Sequence, residues 1–209
     1  INERTKAILI CNPNNPTGYL YTQKEMNQIR DLVKKYNLYL FSDEVYREFI
    51  YTGSPYISAM HLEGIEQNVI LIDSFSKRYS ECGIRIGTLM TKNEKVRAAV
   101  MKFCQARLSP PLIGQIIAEA SLDTPEEYLR SVYDEYVERR KCLIDGLNRI
   151  PAVYTPIPMG AFYTVAKLPV DDTEKFAAWC LEEFSYEDAT IMMAPASGFY
   201  PTEKMGKDQ

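Results

Sequence analysis

Ser74-Phe-Ser-Lys-Arg-Tyr-Ser-Glu-Cys-Gly-Ile-Arg-Ile-Gly87 is the stretch that decides the reading of this chain. It follows the apolar run Val69-Ile-Leu-Ile72, which reads as a buried strand. Lys77 comes just after that strand, among small hydroxyl residues. Arg85 follows eight residues later, between Gly83 and Gly87. A lysine amine forms a Schiff base with a carbonyl, and burial or a nearby positive charge makes it nucleophilic. An arginine is suited to planar, bidentate capture of phosphate or carboxylate. Ser-x-x-Lys alone is a weak signal, because a single lysine at a strand end is ordinarily a solvated surface residue.

The sequence around it changes the weighting. Ala7-Ile-Leu-Ile-Cys11 leads into Asn12-Pro-Asn-Asn-Pro-Thr-Gly18, and Leu38-Tyr-Leu-Phe41 leads into Ser42-Asp-Glu-Val-Tyr46. Three apolar strands therefore deliver polar residues at their C-terminal ends, the edge at which open α/β sheets bind ligands. The two prolines and Gly18 make the first of these segments a loop. Thr22 and Glu25 form a capping box ahead of the helical stripe Met26, Ile29, Leu32, Val33 and Tyr36. Strand, helix and strand make a βαβ unit of right-handed connection. Residues 84–91 read as a further strand. Its connection to the lysine strand is about ten residues, too short for a parallel crossover, so it is expected to run antiparallel.

The remainder reads mainly as helices and short strands. Residues 93–107 and 111–122, split by Pro110-Pro111, read as helices that serve core packing. Residues 125–149 carry the longest helical pattern, with Leu129, Val132, Tyr133, Tyr136, Leu143 and Leu147 as its stripe and Pro151 as its stop. Val153-Tyr154, Ala161–Leu168 and Ile191–Met193 read as strands, and Thr173–Phe184 as a helix.

Composition narrows the function classes. The 209 residues are 46% hydrophobic and 25% charged, values of an ordinary globular protein with a sizeable core. A net charge of −4 gives no electrostatic reason to expect nucleic acid or an anionic membrane as partner. No apolar run approaches the roughly 18 residues that span a bilayer. The five cysteines, Cys11, Cys82, Cys104, Cys142 and Cys180, are unpatterned, which suggests reduced thiols and a cytoplasmic setting. Cys82 lies inside the lysine motif and reads as a small filler. The single histidine, His61, argues against a histidine base or a histidine-rich metal site, and no metal is expected.

The ordered set Asn-Pro-x-Asn-Pro-Thr-Gly, Asp-x-x-Tyr, Ser-x-Ser-Lys and Gly-x-Arg-x-Gly resembles the fold-type I aminotransferases that use pyridoxal phosphate, the aspartate aminotransferase group. The resemblance covers essentially the whole chain. It implies an α/β, three-layer αβα fold with a mainly parallel sheet and one antiparallel strand, plus part of a small α+β domain. Residues 1–124 would belong to the large cofactor-binding domain, 125–150 to an interdomain helix and 151–209 to the small domain. The absence of an initiator methionine and of the family's outer segments suggests the central-to-C-terminal portion of a longer protein, itself expected to be inactive.

By the same resemblance, Lys77 forms the Schiff base and shuttles the proton. Asp43 pairs with the ring nitrogen of the cofactor, Asn15 and Tyr46 hydrogen-bond its 3-oxygen, and Ser74 and Arg85 hold its phosphate. Arg78 has no matching role, and Glu44 reads as a solvated or structural neighbour. The implied reaction moves an amino group between an amino acid, with aspartate as the group's label, and a 2-oxo acid. The implied partners are those small molecules and, in the intact protein, a second subunit in a homodimer. A C–S lyase or other β-elimination enzyme of the same fold stays open, as does a non-catalytic cofactor-binding regulatory module. The arginine that clamps the substrate carboxylate in the family has no counterpart among the residues present.

Overall fold

A computed structural model of the chain describes residues 1–203 and 205–209. Four strands form one sheet in the order β1 (Ala7–Cys11), β2 (Tyr39–Asp43), β3 (Val69–Ser74) and β4 (Gly87–Met90). β1, β2 and β3 are parallel, with Cys11 opposite Asp43 and Asp43 opposite Ile72. β4 runs antiparallel to β3, with Gly87 opposite Ser74, as the short connection requires. The residues between them fold into a one-turn helix α2 (Phe75–Arg78) and a 3-10 turn at Cys82–Ile84.

Helix α1 (Gln23–Tyr36) links β1 to β2. Both halves of its capping box form. The Thr22 hydroxyl accepts from the Glu25 amide at 3.3 Å, and the Glu25 carboxylate accepts from the Thr22 amide at 2.8 Å. Asn37 closes the helix in the left-handed region, where asparagine is tolerated. The face that packs is narrower than the sequence pattern suggested. Met26 and Val33 are fully buried and Ile29 packs beside them, whereas Leu32 and Tyr36 stay exposed at the margin. This face meets Ile10, Leu40 and Val69 of the sheet, together with Ala59, Leu62 and Ile65 of the segment before β3. Each fully buried aliphatic side chain here contributes about 1.5–3 kcal/mol.

The later helices are α3 (Glu94–Arg107), α4 (Leu112–Ala120), α5 (Glu126–Leu147) and α6 (Thr173–Glu182). Two expectations need correction. α3 buries none of its residues, and Phe103, Leu112 and Ile113 are more than two-thirds exposed, so α3 does not serve the core as the sequence suggested, and α4 does so only through Gly114 and Ala118. Phe103, Leu112 and Ile113 find no facing layer among the described residues. Residues 153–154, 161–168 and 191–193 also fail to form strands. Tyr154 and Lys167 make one isolated antiparallel bridge, and Met192 is 83% exposed. A strand needs a paired neighbour, and Pro156 and Pro158 withhold the amides that would extend the bridge.

The chain divides into two compact units, Ile1–Val137 with Pro158–Phe162, and Glu138–Ile157 with Tyr163–Gln209. In the second unit Asp172 caps α6 by accepting from the amides of Glu174 and Lys175, and Ala177 and Cys180 are its buried positions. The Asn148 side chain holds both the amide and the carbonyl of Thr155. In the first unit Leu40 is fully buried at the centre of the sheet. Leu40→Ala is expected to cost about 2–5 kcal/mol in a urea titration. A loss below about 1 kcal/mol would show that the core does not centre on β2.

Candidate active site

The polar residues expected from the sequence collect at the carboxyl edge of the parallel strands. Asp43 is the last residue of β2 and Ser74 the last of β3. Beyond β1, the Asn12–Gly18 loop is pinned by its first residue. Asn12 is buried, its amide donates to the Asp43 carbonyl at 2.9 Å, and its side-chain oxygen accepts from the Tyr21 amide at 3.1 Å. These bonds present Asn15, whose side-chain amide donates to the Tyr46 hydroxyl at 3.3 Å. The pair offers a phenol oxygen and an amide side by side, a suitable set for one ligand oxygen.

Asp43 is half-buried. Its Oδ1 accepts from the Val45 amide at 3.1 Å, and no lysine or arginine pairs with it among the described residues. Burial pushes its carboxyl above the usual aspartate range. The Val45 amide opposes that shift, and the neighbouring Asp73 adds to it. A cation placed against Asp43 would relieve the cost of keeping it ionised. The site therefore fits the protonated ring nitrogen that the sequence reading assigned to it.

Ser74 caps α2 with its side chain, accepting from the Ser76 amide at 3.1 Å, and the same oxygen lies 3.1 Å from the Ile86 carbonyl. Lys77 sits on the next turn. Its Nζ lies 5.9 Å from the centre of the Phe162 ring and 3.9 Å from the Cys82 sulfur. Arg85 is exposed, and its Nη1 donates to the Cys82 carbonyl at 3.0 Å. Among the described residues no hydrogen bond joins Ser74 to Arg85. The structure thus brings Asn15 and Tyr46 into contact, sets Lys77 on the turn capped by Ser74, and leaves Arg85 bonded within its own loop.

Several neighbours were missed in the sequence. Phe162 packs edge-on to Tyr46 at 5.2 Å and to Phe49 at 5.1 Å, and stacks on Tyr136 at 4.7 Å. It thereby connects the lysine side of the edge to the tyrosine side. Gly160 packs so closely that a Cβ there would fall 2.6 Å from the Pro13 side chain and 2.9 Å from the Phe49 carbonyl. Glu44 is 1% exposed, and its Oε1 accepts from Ser42, Ser58 and the Ala59 amide. It is a buried structural carboxylate rather than a solvated one. Arg78 is likewise engaged, bridging Glu48 at 3.0 Å and Asp73 at 3.6 Å, while Arg47 holds Asp73 at 2.6 Å. The Gly160-Ala-Phe162 sequence had offered a signal, a glycine ahead of an aromatic, that the strand reading absorbed.

In this α/β protein a lysine, a half-buried carboxylate and a tyrosine–asparagine pair share one sheet edge, the edge at which open α/β sheets bind ligands. Residues 1–193 match the family described as Aminotransferase class I and II, and the chain belongs to that family. It is 31% identical over 206 residues to a putative aminotransferase, YugH, of Bacillus subtilis, covering 97% of this chain and 51% of that protein. It is 28% identical to an aspartate aminotransferase of Geobacillus stearothermophilus, covering 95% and 51%. Among solved structures, an alanine aminotransferase from Pyrococcus furiosus superimposes with a TM-score of 0.78 at 35% identity, over 87% of this chain and 48% of that one. An aspartate aminotransferase from Thermotoga maritima gives 0.78 at 33% identity, over 88% and 47%. The chain spans about half the length of the relatives it matches. Its mixed, mostly parallel sheet with flanking helices is a part of the αβα fold of this family. No described helix is long and apolar enough to cross a membrane.

The Asp43 environment makes a prediction with a definite sign. In the unfolded chain its carboxyl ionises near 3.9, as for any exposed aspartate, about where ionisation begins to favour unfolding. In the folded chain ionisation comes later, so over that interval the unfolded state holds fewer protons and stability falls as pH rises. Asparagine keeps the acceptor for Val45 and removes the charge. Without cofactor, Asp43→Asn should match the parent's melting temperature in acid and exceed it once pH rises past the unfolded carboxyl's range, the gap levelling off when the folded carboxyl has ionised too. Paired thermal melts across that range check this, and a gap that closes with rising pH overturns it.

Proposed function

We propose that the protein is a pyridoxal-phosphate-dependent aminotransferase of the aspartate aminotransferase group, acting on an amino acid and a 2-oxo acid. The observation that carries this reading is Lys77, set on a one-turn helix at the strand edge that also bears Asp43 and the Asn15–Tyr46 pair. When bound, the cofactor supplies an electron sink and carries the amino group between the two half-reactions.

This chain's residues supply placement and proton handling. Asp43 meets the ring nitrogen with a carboxylate whose burial favours a cationic partner. Tyr46 and Asn15 hold the 3-oxygen between a hydroxyl and an amide. Ser74 and Arg85 take the phosphate. The Arg85 guanidinium, which donates to the Cys82 carbonyl at an exposed position, would exchange that acceptor for the phosphate. Lys77 anchors the cofactor through its amine. The same amine would be placed to move a proton at the substrate α-carbon, which is general acid–base work by a positioned lysine. The Phe162 ring beside Nζ excludes water from one side of that amine. Aspartate as substrate follows the names of the relatives, since no residue present is assigned to a substrate side chain.

Reductive labelling tests the reading. Pyridoxal phosphate and borohydride should place a single reduced label on Lys77, found by mass spectrometry after digestion. Lys77→Ala should lose that label, and in the full-length enzyme lower turnover by at least about 10²-fold. Label scattered over surface lysines in both proteins would refute the assignment.

A further inference from the structure

Cys82 has a chemical environment that the other four cysteines lack. Its Sγ lies 3.9 Å from Lys77 Nζ, and its thiol donates to the Ser76 carbonyl at 3.2 Å. It is exposed, so a small oxidant reaches it from solvent. Cys180 is buried, and Cys11 is held against the Pro13 carbonyl with its thiol pushed up by burial. Cys104 and Cys142 are exposed, but among the described residues neither makes a hydrogen bond with a lysine amine, as Cys82 does. The backbone of the pair is fixed from both sides. The Ser74 cap starts the turn that carries Lys77, and Arg85 grips the Cys82 carbonyl at 3.0 Å. Among the described residues no carboxylate pairs with Lys77. Its amine, on a flexible four-carbon stem, lies against the sulfur and the Phe162 ring.

We propose that Lys77 and Cys82 form a reversible oxidation site, in which a hydroperoxide joins them through a sulfur–nitrogen bond and withdraws the Lys77 amine from cofactor binding. The consequence for the cofactor rests on the function proposed above; the bond itself does not. In the first step the Cys82 sulfur attacks a peroxide oxygen. A sulfur–oxygen bond forms, the oxygen–oxygen bond breaks, and an alcohol or water leaves. The sulfur is oxidised by two electrons and the peroxide is reduced by two. In the second step the Lys77 nitrogen attacks that sulfur. A nitrogen–sulfur bond forms, the sulfur–oxygen bond breaks, and the departing hydroxide leaves as water with the amine proton. Thiol, amine and hydroperoxide thus give the linked pair, an alcohol and water. A dithiol reverses it, returning thiol and amine as it is oxidised to its own disulfide.

The test treats the purified protein with hydrogen peroxide, digests it, and maps the segment from Ser74 to Gly87 by tandem mass spectrometry. The expected product joins Lys77 to Cys82 and lacks two hydrogen atoms relative to the reduced segment. It should disappear with dithiothreitol and be absent from Cys82→Ser and Cys82→Ala, with circular dichroism confirming that these variants fold. Reductive labelling with pyridoxal phosphate is then repeated. The oxidised parent should lose its Lys77 label and regain it with dithiothreitol, while both variants keep the label after peroxide. If Cys82 gains only oxygen, or joins another cysteine, the inference fails even where labelling of Lys77 succeeds. If the reduced parent takes no label at Lys77, it is the proposed function that fails, and the linkage is still decided by its mass.

Discussion

One hydroxyl decides where the lysine sits. Ser74 ends β3, and the same residue caps α2 by accepting from the Ser76 amide. The chain therefore passes from extended to helical backbone without an intervening loop, and Lys77 appears on the first turn past the sheet edge. The antiparallel return of β4 confines that turn. A Cβ at Gly87 would meet the Asp73 carbonyl at 3.0 Å, and one at Gly114 would meet the Ile84 carbonyl at 2.7 Å. Only glycine permits either approach without a shift of backbone. Ser121 adds a clamp from the end of α4, its hydroxyl donating to the Glu81 carboxylate at 2.8 Å.

The carboxylates near this edge are compensated to different degrees. Asp73 is neutralised by Arg47 and Arg78, and Glu44 has its Oε1 satisfied by three donors. A buried carboxylate is costly unless so compensated. Burial and the proximity of Glu44 push the Tyr56 hydroxyl far above the usual phenol range, so it stays protonated and donates to the Asn12 carbonyl. Asp43 stands apart, since its burial is opposed only by the Val45 amide. A folded chain rarely leaves a carboxylate in that condition unless a ligand completes it.

The parallel strands, the capping box and the reversed fourth strand were legible because each rests on local chemistry. Apolar runs, a Thr-x-x-Glu spacing and a connection length suffice to specify them. Asn15, Asp43, Tyr46, Ser74, Lys77 and Arg85 are picked out together by four short motifs that stand in order, although no single motif compels the reading. Phe162 and Gly160 are not picked out. Their importance comes from contact with Phe49 and Pro13, partners more than a hundred positions away, and periodicity carries no trace of such pairing. Glu44 and Asp43 are adjacent carboxylates with opposite fates. The segment at Ser58-Ala59, which covers Glu44, separates that buried strut from the half-buried Asp43. The helical stripes of α3 and α4 misled because amphipathic spacing announces a face that wants cover and does not say where the cover comes from.

The short segment Pro158–Phe162 counts with the first compact unit although it lies beyond a stretch of the second. Its amides at Met159 and Gly160 donate to the Gly18 carbonyl, and Ala161 donates to the Phe49 carbonyl. The polypeptide thus leaves the first unit and comes back to it before ending in the second. No single scission point along the sequence separates the two units cleanly. Any C-terminal truncation ahead of residue 158 strips the Asn-Pro loop of its covering backbone, and anyone excising the lysine-bearing half by sequence position alone would also remove part of its wall. Modular exchange between relatives of this family would have to carry this five-residue return along with the first 137 residues, as a discontinuous building block.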